Sequence, residues 1–93
     1  MLHAFVLIDA EPARIAELAQ ELAEVDGVTE AYSVAGGVAD LVAIVRVQRY
    51  EALAEVVTGH IDTLPGVTST TTLVAFQAFS RHDLEAMWDL GPS

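Results

Sequence analysis

The sequence predicts one α+β domain in which four strands and two helices follow the order βαββαβ. The chain has 93 residues, and 53% of them are hydrophobic, which suits a single core. Short apolar runs typical of strands alternate with stretches whose apolar residues recur at helical spacing. The pattern also repeats, since Gly27-Val28-Thr29 follows the first helix as Gly66-Val67-Thr68 follows the second. These observations predict two βαβ units of one design.

The first half is predicted to contain a strand, a helix and a second strand. Residues 2–8 are apolar except for His3 and form the first strand. Pro12 suits the first position of a helix because its missing N–H costs nothing there, and Gly27 can take the left-handed conformation that closes a helix. Residues 28–34 form the second strand. The apolar stripe of the helix consists of Ile15, Leu18, Ala19 and Leu22.

A glycine pair, Gly36-Gly37, predicts a hairpin between the second and third strands, because glycine adopts the positive φ values of tight turns. The third strand, Leu41–Val47, has only one polar residue, Arg46. A strand with one face in water would alternate more clearly. Both faces of the sheet are therefore expected to be covered, and Arg46 is expected to pair with a carboxylate at the sheet rim or at a dimer contact.

The second half repeats the plan with a longer helix and a longer strand. The helix is predicted over residues 50–64 and is ended by Pro65-Gly66. Its apolar stripe consists of Leu53, Val56, Val57, His60, Ile61 and Leu64. The fourth strand covers residues 68–79. Residues 80–83 resemble a capping box, so residues 80–93 are expected to form a helical tail that docks on its own or a neighbouring subunit.

The connections between these elements predict how they are arranged. Right-handed crossovers place both helices on one face of a four-stranded antiparallel sheet, which is the ferredoxin-like arrangement. The helix-free face would expose roughly 300 Å² of mostly apolar surface, near the upper end of what monomers show. A second copy, or the C-terminal helix, is therefore expected to cover it. The prediction is an α+β, ferredoxin-like fold that dimerises through its sheet.

Charge and composition exclude several functions. Fourteen acidic and four basic residues give a formal charge of −10, and this field repels phosphate backbones and anionic lipids. The chain has no cysteine, so disulfides and thiolate metal sites are excluded. No apolar run reaches the roughly 18 residues of a membrane span, and the first residues lack the basic flank of a signal peptide. We therefore expect a cytoplasmic protein that contacts neither nucleic acid nor membrane.

Three short motifs resemble those of the effector-binding domain of the Lrp/AsnC family, often called the RAM domain. They are Gly37-Val38-Ala39-Asp40-Leu41 in the hairpin, Leu64-Pro65-Gly66-Val67 after the second helix, and Thr70-Thr71-Thr72 in the fourth strand. Together with the βαββαβ order, the resemblance covers residues 5–79, so residues 1–79 are expected to form the ligand-binding domain. Full-length members carry an N-terminal helix-turn-helix domain. This chain starts at its first strand, and a stand-alone form is therefore expected.

The resemblance implies a function and a site. It implies dimers formed through the sheets, which associate further, commonly to an octamer of four dimers. Small effectors, usually amino acids, would bind between dimers. By position, Gly37 and Asp40 match the hairpin part of that site, and Thr70 and Thr72 match the strand part. The two residues between Gly37 and Asp40 are apolar here, where the family often has a polar or acidic residue and an aromatic one.

The chemistry of these residues suits an amino acid. The ammonium of a zwitterion needs an acceptor, which Asp40 could provide. Its carboxylate needs donors, which the N–H groups around Gly36-Gly37 and the hydroxyls of Thr70 and Thr72 could provide. A structural interpretation also exists for each group. Asp40 could cap the hairpin, the glycines could serve the turn alone, and threonines are good strand formers.

Two other functions are compatible with the sequence. Small monooxygenases and isomerases of the dimeric α+β barrel group share the fold and use His, Tyr, Asn or Trp in a cleft between sheet and helices. The candidates for such a role are His3, Tyr32, His60 and Trp88. No catalytic triad, phosphate loop or metal-ligand spacing is present, so we expect no enzyme, no catalytic residue, no metal and no cofactor. The remaining alternative is an assembly partner of a longer, DNA-binding Lrp-like regulator.

Overall fold

Four antiparallel strands form one sheet in the order β2-β3-β1-β4. The structure, a computed structural model, describes residues 1–79 and Arg81. The strands are β1 (Leu2–Ala10), β2 (Val28–Ser33), β3 (Leu41–Val47) and β4 (Val67–Val74). The predicted α+β, ferredoxin-like fold is confirmed. The predicted C-terminal helix lies outside the described residues.

Helix α1 (Ile15–Ala23) begins one turn later than Pro12. The first turn, Pro12–Arg14, is a 3-10 helix with proline at its start. The difference arises because the first N–H groups of a helix have no intrahelical partner, and tighter 3-10 turns are common at this end. The predicted stripe is confirmed, because Leu18 and Leu22 are fully buried.

The second helix changes its geometry partway along. Helix α2 is α-helical over Tyr50–Ala54 and continues as a π-helix over Glu55–Ile61, whereas the sequence predicted one α-helix over residues 50–64. A π-helical turn holds more residues than an α-helical turn, so it rotates the residues that follow it. His60 is consequently exposed, and its predicted place in the apolar stripe is wrong. Four other stripe residues are buried: Leu53, Val56, Val57 and Ile61.

The core lies between the two helices and one face of the sheet. Alternate residues of the central strands point into it, as the period of a strand requires. These residues are Ala4, Val6, Ile8 and Ala10 of β1 and Leu41, Ala43 and Val45 of β3. No polar side chain is buried in the described part of the chain. The core therefore depends on apolar packing alone.

The two glycines that end the helices each pack against the other half of the repeat. Gly27 and Gly66 have φ values of 95° and 98°, which L side chains rarely adopt. A Cβ on Gly27 would lie 2.8 Å from Cγ2 of Val56 in the second helix, and one on Gly66 would lie 2.8 Å from Cβ of Arg14 before the first. Each βαβ unit thus packs its closing glycine against the other unit.

The second face of the sheet carries an apolar surface that no described helix covers. This open face consists of Phe5, Leu7, Tyr32, Val42, Ile44 and Leu73. Phe5 stands at its centre, paired with Ile44 on one side and Leu73 on the other. Phe5 is 40% exposed and Leu73 is 50% exposed. The prediction that both faces of β3 are apolar is confirmed.

Strand β4 is shorter than predicted, ending at Val74 rather than at residue 79. The last bond to β1 runs from the N–H of Ala75 to the carbonyl of His3, at 2.9 Å. Because β1 itself begins at Leu2, the residues after Ala75 have no partner strand in the described part of the chain, and β propensity alone does not form a strand. Phe76 and Phe79 in this segment are exposed.

Candidate ligand site

The hairpin supplies open space beside its backbone. Gly36 and Gly37 have φ values of 137° and 83°, so the turn requires glycine at both positions. Apart from the adjacent residues, no heavy atom of the described chain lies within 4 Å of an ideal Cβ on either glycine. The N–H of Val34 donates to the carbonyl of Asp40 at 3.0 Å and closes the turn. A ligand could therefore approach this backbone closely.

Asp40 joins the hairpin to the end of β1. Its Oδ2 accepts a hydrogen bond from the N–H of Ala10 at 2.9 Å. Its own N–H donates to the carbonyl of Ile8 at 3.0 Å. The contact falls where the pairing of β1 with β4 shifts register, between Asp9 and Ala10. Oδ1 of Asp40 accepts no hydrogen bond within residues 1–79 and could still accept one from an ammonium group.

Thr70 and Thr72 lie on β4 with their side chains on the helix side of the sheet, since they pair with the buried residues Ile8 and Val6. The hydroxyl of Thr70 donates to Oδ1 of Asp62, at the end of the π-helix, at 2.8 Å. That hydroxyl has thus used its one donor and keeps acceptor capacity. As a donor to a ligand carboxylate, Thr70 would first have to leave Asp62.

A groove of about 220 Å³ lies between the second helix and β4. We call it the α2–β4 groove, and it is lined by Tyr50, Leu53, Ala54, Val57, Thr58, Thr72 and Val74. It exists because β4 is an edge strand that the helices cover only in part. The sequence pattern did not predict this groove, although Thr72 and Val74 share one face of β4 and the apolar stripe of the second helix was predicted to face the sheet.

One chain does not bring the predicted site residues together. Leu41, next to Asp40, and Thr70 both pair with Ile8, on opposite sides of β1. The backbones of Asp40 and Thr70 are therefore separated by roughly 10 Å, two interstrand spacings of about 4.8 Å. The hairpin group contains Gly36, Gly37 and Asp40, and the strand group contains Thr70 and Thr72.

The candidate residues for an enzyme are dispersed. His3 and Arg46 are cross-strand neighbours on the helix-free side, and within residues 1–79 no carboxylate pairs with Arg46. Tyr32 donates its hydroxyl to the Glu30 carboxylate, and this hydrogen bond with the nearby negative charge raises the pKa of Tyr32. Neither Tyr32 nor His60 lines the α2–β4 groove. Trp88 lies outside the described residues.

The described residues contain no group of three or more His, Cys, Asp or Glu side chains that could hold a metal ion. Over the same part of the chain, every helix is too short or too polar to cross a membrane.

The sequence matches one protein family over most of its length. The profile of the family described as Lrp/AsnC ligand binding domain matches residues 3–84. No curated protein matches the chain. Among solved structures, TTHA0845 from Thermus thermophilus is similar, with 47% sequence identity and a TM-score of 0.81. The match covers 87% of this chain and 100% of that one.

Two longer regulators are also similar. AsnC from E. coli has 28% identity and a TM-score of 0.78, and the match covers 86% of this chain and 54% of AsnC. A feast or famine regulatory protein from M. tuberculosis, complexed with L-methionine, has 30% identity and a TM-score of 0.72. That match covers 86% of this chain and 53% of the regulator.

Proposed function

Because this chain belongs to the Lrp/AsnC ligand-binding domain family, we propose that it is an oligomeric regulatory module that binds an amino acid as its effector. The observation that carries the proposal is the match over residues 3–84, which includes both the hairpin group and the strand group. The regulator from M. tuberculosis, which is complexed with L-methionine, supports an amino acid as the ligand.

The effector binds where two copies meet. The ammonium and carboxylate of an α-amino acid are attached to one carbon atom, whereas Asp40 and Thr70 of one chain are roughly 10 Å apart across β1. The hairpin group and the strand group of one chain thus flank β1 on opposite sides, with Thr70 and Thr72 on the helix side of the sheet. A site that combines the hairpin of one copy with β4 of another would bring both groups to one ligand, which supports an interface between dimers.

The residues of this site have distinct roles. Oδ1 of Asp40 accepts hydrogen bonds from the ammonium group, while Oδ2 stays on the N–H of Ala10. The N–H groups around Gly36-Gly37 and the hydroxyl of Thr72 donate to the carboxylate. The open space beside both glycines supports this close approach.

The dimer forms through the open face. This surface is apolar and partly exposed in the single chain. A chain of 93 residues buries a smaller fraction of its surface than a larger domain does. Burial of the open face against a second copy removes this apolar area from water. Dimers of this type assemble further, and an octamer is the proposed form.

We propose that the module does not itself contact DNA. The support is the formal charge of −10, which opposes contact with nucleic acid. Such a module acts on transcription by joining a longer relative that binds DNA.

Thermal shift with each of the common amino acids tests the proposal. A true effector at 100 times its Kd stabilises the fold by about 2.7 kcal/mol. Asp40→Asn is the informative variant, because an amide oxygen keeps an acceptor for the N–H of Ala10 but removes the charge that attracts the ammonium. We expect Asp40→Asn to fold and to lose the shift.

Asp26→Asn is the matched control, since Asp26 is exposed in the turn after α1. This variant should keep the full shift. If no amino acid raises the Tm of the wild-type protein, the proposed function is wrong.

A further inference from the structure

We propose that the α2–β4 groove receives the side chain of the effector and selects amino acids whose side chain is apolar and uncharged. The inference rests on the proposed function, because it assigns the part of the same site that determines specificity. The link between the two is Thr72, which belongs to the strand group and also lines the groove. An amino acid whose head group binds at Thr72 would have its own side chain next to the groove.

The lining of the groove favours apolar ligands. Aliphatic side chains form most of the wall, and its polar members are the neutral residues Tyr50, Thr58 and Thr72. Among the residues that the structure describes, no charged one lines the groove, in a chain whose formal charge is −10. A charged ligand side chain would lose its hydration there without gaining a partner of opposite charge, which is costly.

The volume of the groove limits the size of the occupant. At about 220 Å³, it is smaller than the roughly 300–1,000 Å³ of pockets that enclose drug-sized ligands. It suits a single aliphatic or thioether side chain, with the head group of the amino acid outside. L-leucine and L-methionine have side chains of this type.

The geometry of the wall provides an independent observation. The π-helix Glu55–Ile61 contributes Val57 and Thr58 to the groove. π-helical turns are rare and occur frequently at functional sites. The hydroxyl of Thr58 donates to the carbonyl of Ala54 at 2.6 Å, so two lining residues are fixed to each other.

Isothermal titration with five amino acids tests the inference: L-leucine, L-methionine, L-alanine, L-glutamate and L-lysine. Each buried CH2 contributes about fourfold in affinity, and leucine and methionine have longer side chains than alanine. We expect the wild-type protein to bind leucine and methionine at least ~10-fold more tightly than alanine. Glutamate and lysine should bind more weakly than alanine.

Ala54→Leu fills the groove from an exposed helix position. We expect this variant to bind leucine and methionine no more than about threefold more tightly than alanine, because the longer side chains would bury less than one additional CH2. Its affinity for alanine should equal that of the wild type. Ala16→Leu makes the same change at an exposed position of α1 and should keep the wild-type preference. Thr58→Leu is a second filling variant, which keeps the test valid if Ala54→Leu does not fold.

The possible outcomes separate the inference from the function on which it rests. If the wild-type protein prefers a charged amino acid, or if both filling variants keep the wild-type preference, the groove is not the side-chain pocket, while the proposed function stands. If the wild-type protein binds no amino acid, both proposals fail.

Discussion

The side chain of Asp40 holds the hairpin against the end of β1. The sequence offered two interpretations, a local cap of the hairpin and a ligand contact. Its carboxylate in fact accepts from Ala10, thirty positions away along the chain. A local pattern cannot predict that partner, because the contact exists only after β1 and the hairpin have come together. Thr70 is similar, since its partner Asp62 lies on the other side of a turn.

Gly66 and Gly37 both have positive φ values but differ in what surrounds them, and this difference gives a prediction about stability. Gly66→Ala adds a Cβ that would lie 2.8 Å from Cβ of Arg14, at a φ of 98°. We expect a loss of about 2–4 kcal/mol in the free energy of unfolding, from left-handed strain and overpacking together. Gly37→Ala adds backbone strain, but its Cβ would meet no atom of the described chain beyond the adjacent residues. The loss in the free energy of unfolding should therefore be about 1 kcal/mol.

Urea denaturation of the two variants and the wild type measures the difference. Equal losses would show that the packing between Gly66 and Arg14 contributes nothing to stability.

The bounds of a secondary-structure element were predicted best where the element's own residues determine them. Strand β3 has the predicted bounds, Leu41–Val47, because a run that is apolar on both faces can only be central. Strand β4 ends earlier than predicted, because pairing depends on the length of its neighbour β1 and not on its own composition. The π-helix was not predicted, since apolar spacing does not distinguish it from an α-helix over so few residues.

Gly59 provides a prediction at the scale of the second helix. It lies in the π-helix Glu55–Ile61 and is exposed, and beyond its own helix no described heavy atom lies within 4 Å of an ideal Cβ. Gly59→Ala should raise the free energy of unfolding by about 0.5–1 kcal/mol, because alanine restricts the unfolded chain without strain in the helix. Urea denaturation measures the change. A loss of stability would instead mean that the π-helix needs the freedom of glycine at this position.

At the scale of the whole molecule, the repeat in the sequence was sufficient to predict the fold. Equivalent helices, equivalent glycines and right-handed crossovers leave one arrangement of the sheet. The arrangement of the site was less predictable, because the hairpin and β4 belong to neighbouring copies in the proposed assembly. Sequence positions indicate which residues take part, but not the distance across β1 that separates them in one chain.

The open face gives the prediction at this scale. We expect the wild-type protein to sediment as a dimer or a larger assembly at micromolar concentration. Ile44→Glu places a charge beside Phe5 on the open face, where burial against a second copy would be costly. This variant should sediment as a monomer. Ala16→Glu adds the same charge on the outer side of α1 and should leave the assembly intact.

Analytical ultracentrifugation over a range of protein concentrations distinguishes these states. A wild-type protein that sediments as a monomer at all concentrations would contradict association through the sheet.

The direction of β1 has a practical consequence for work with this protein. The strand runs from Leu2, which pairs with Val47, to Ala10, which contacts Asp40. Nine residues of strand place the amino terminus roughly 30 Å from the hairpin, and Met1 is 72% exposed. A fluorescent dye, purification tag or biosensor surface attached at the amino terminus would thus leave the hairpin of the same copy pointing away from the attachment.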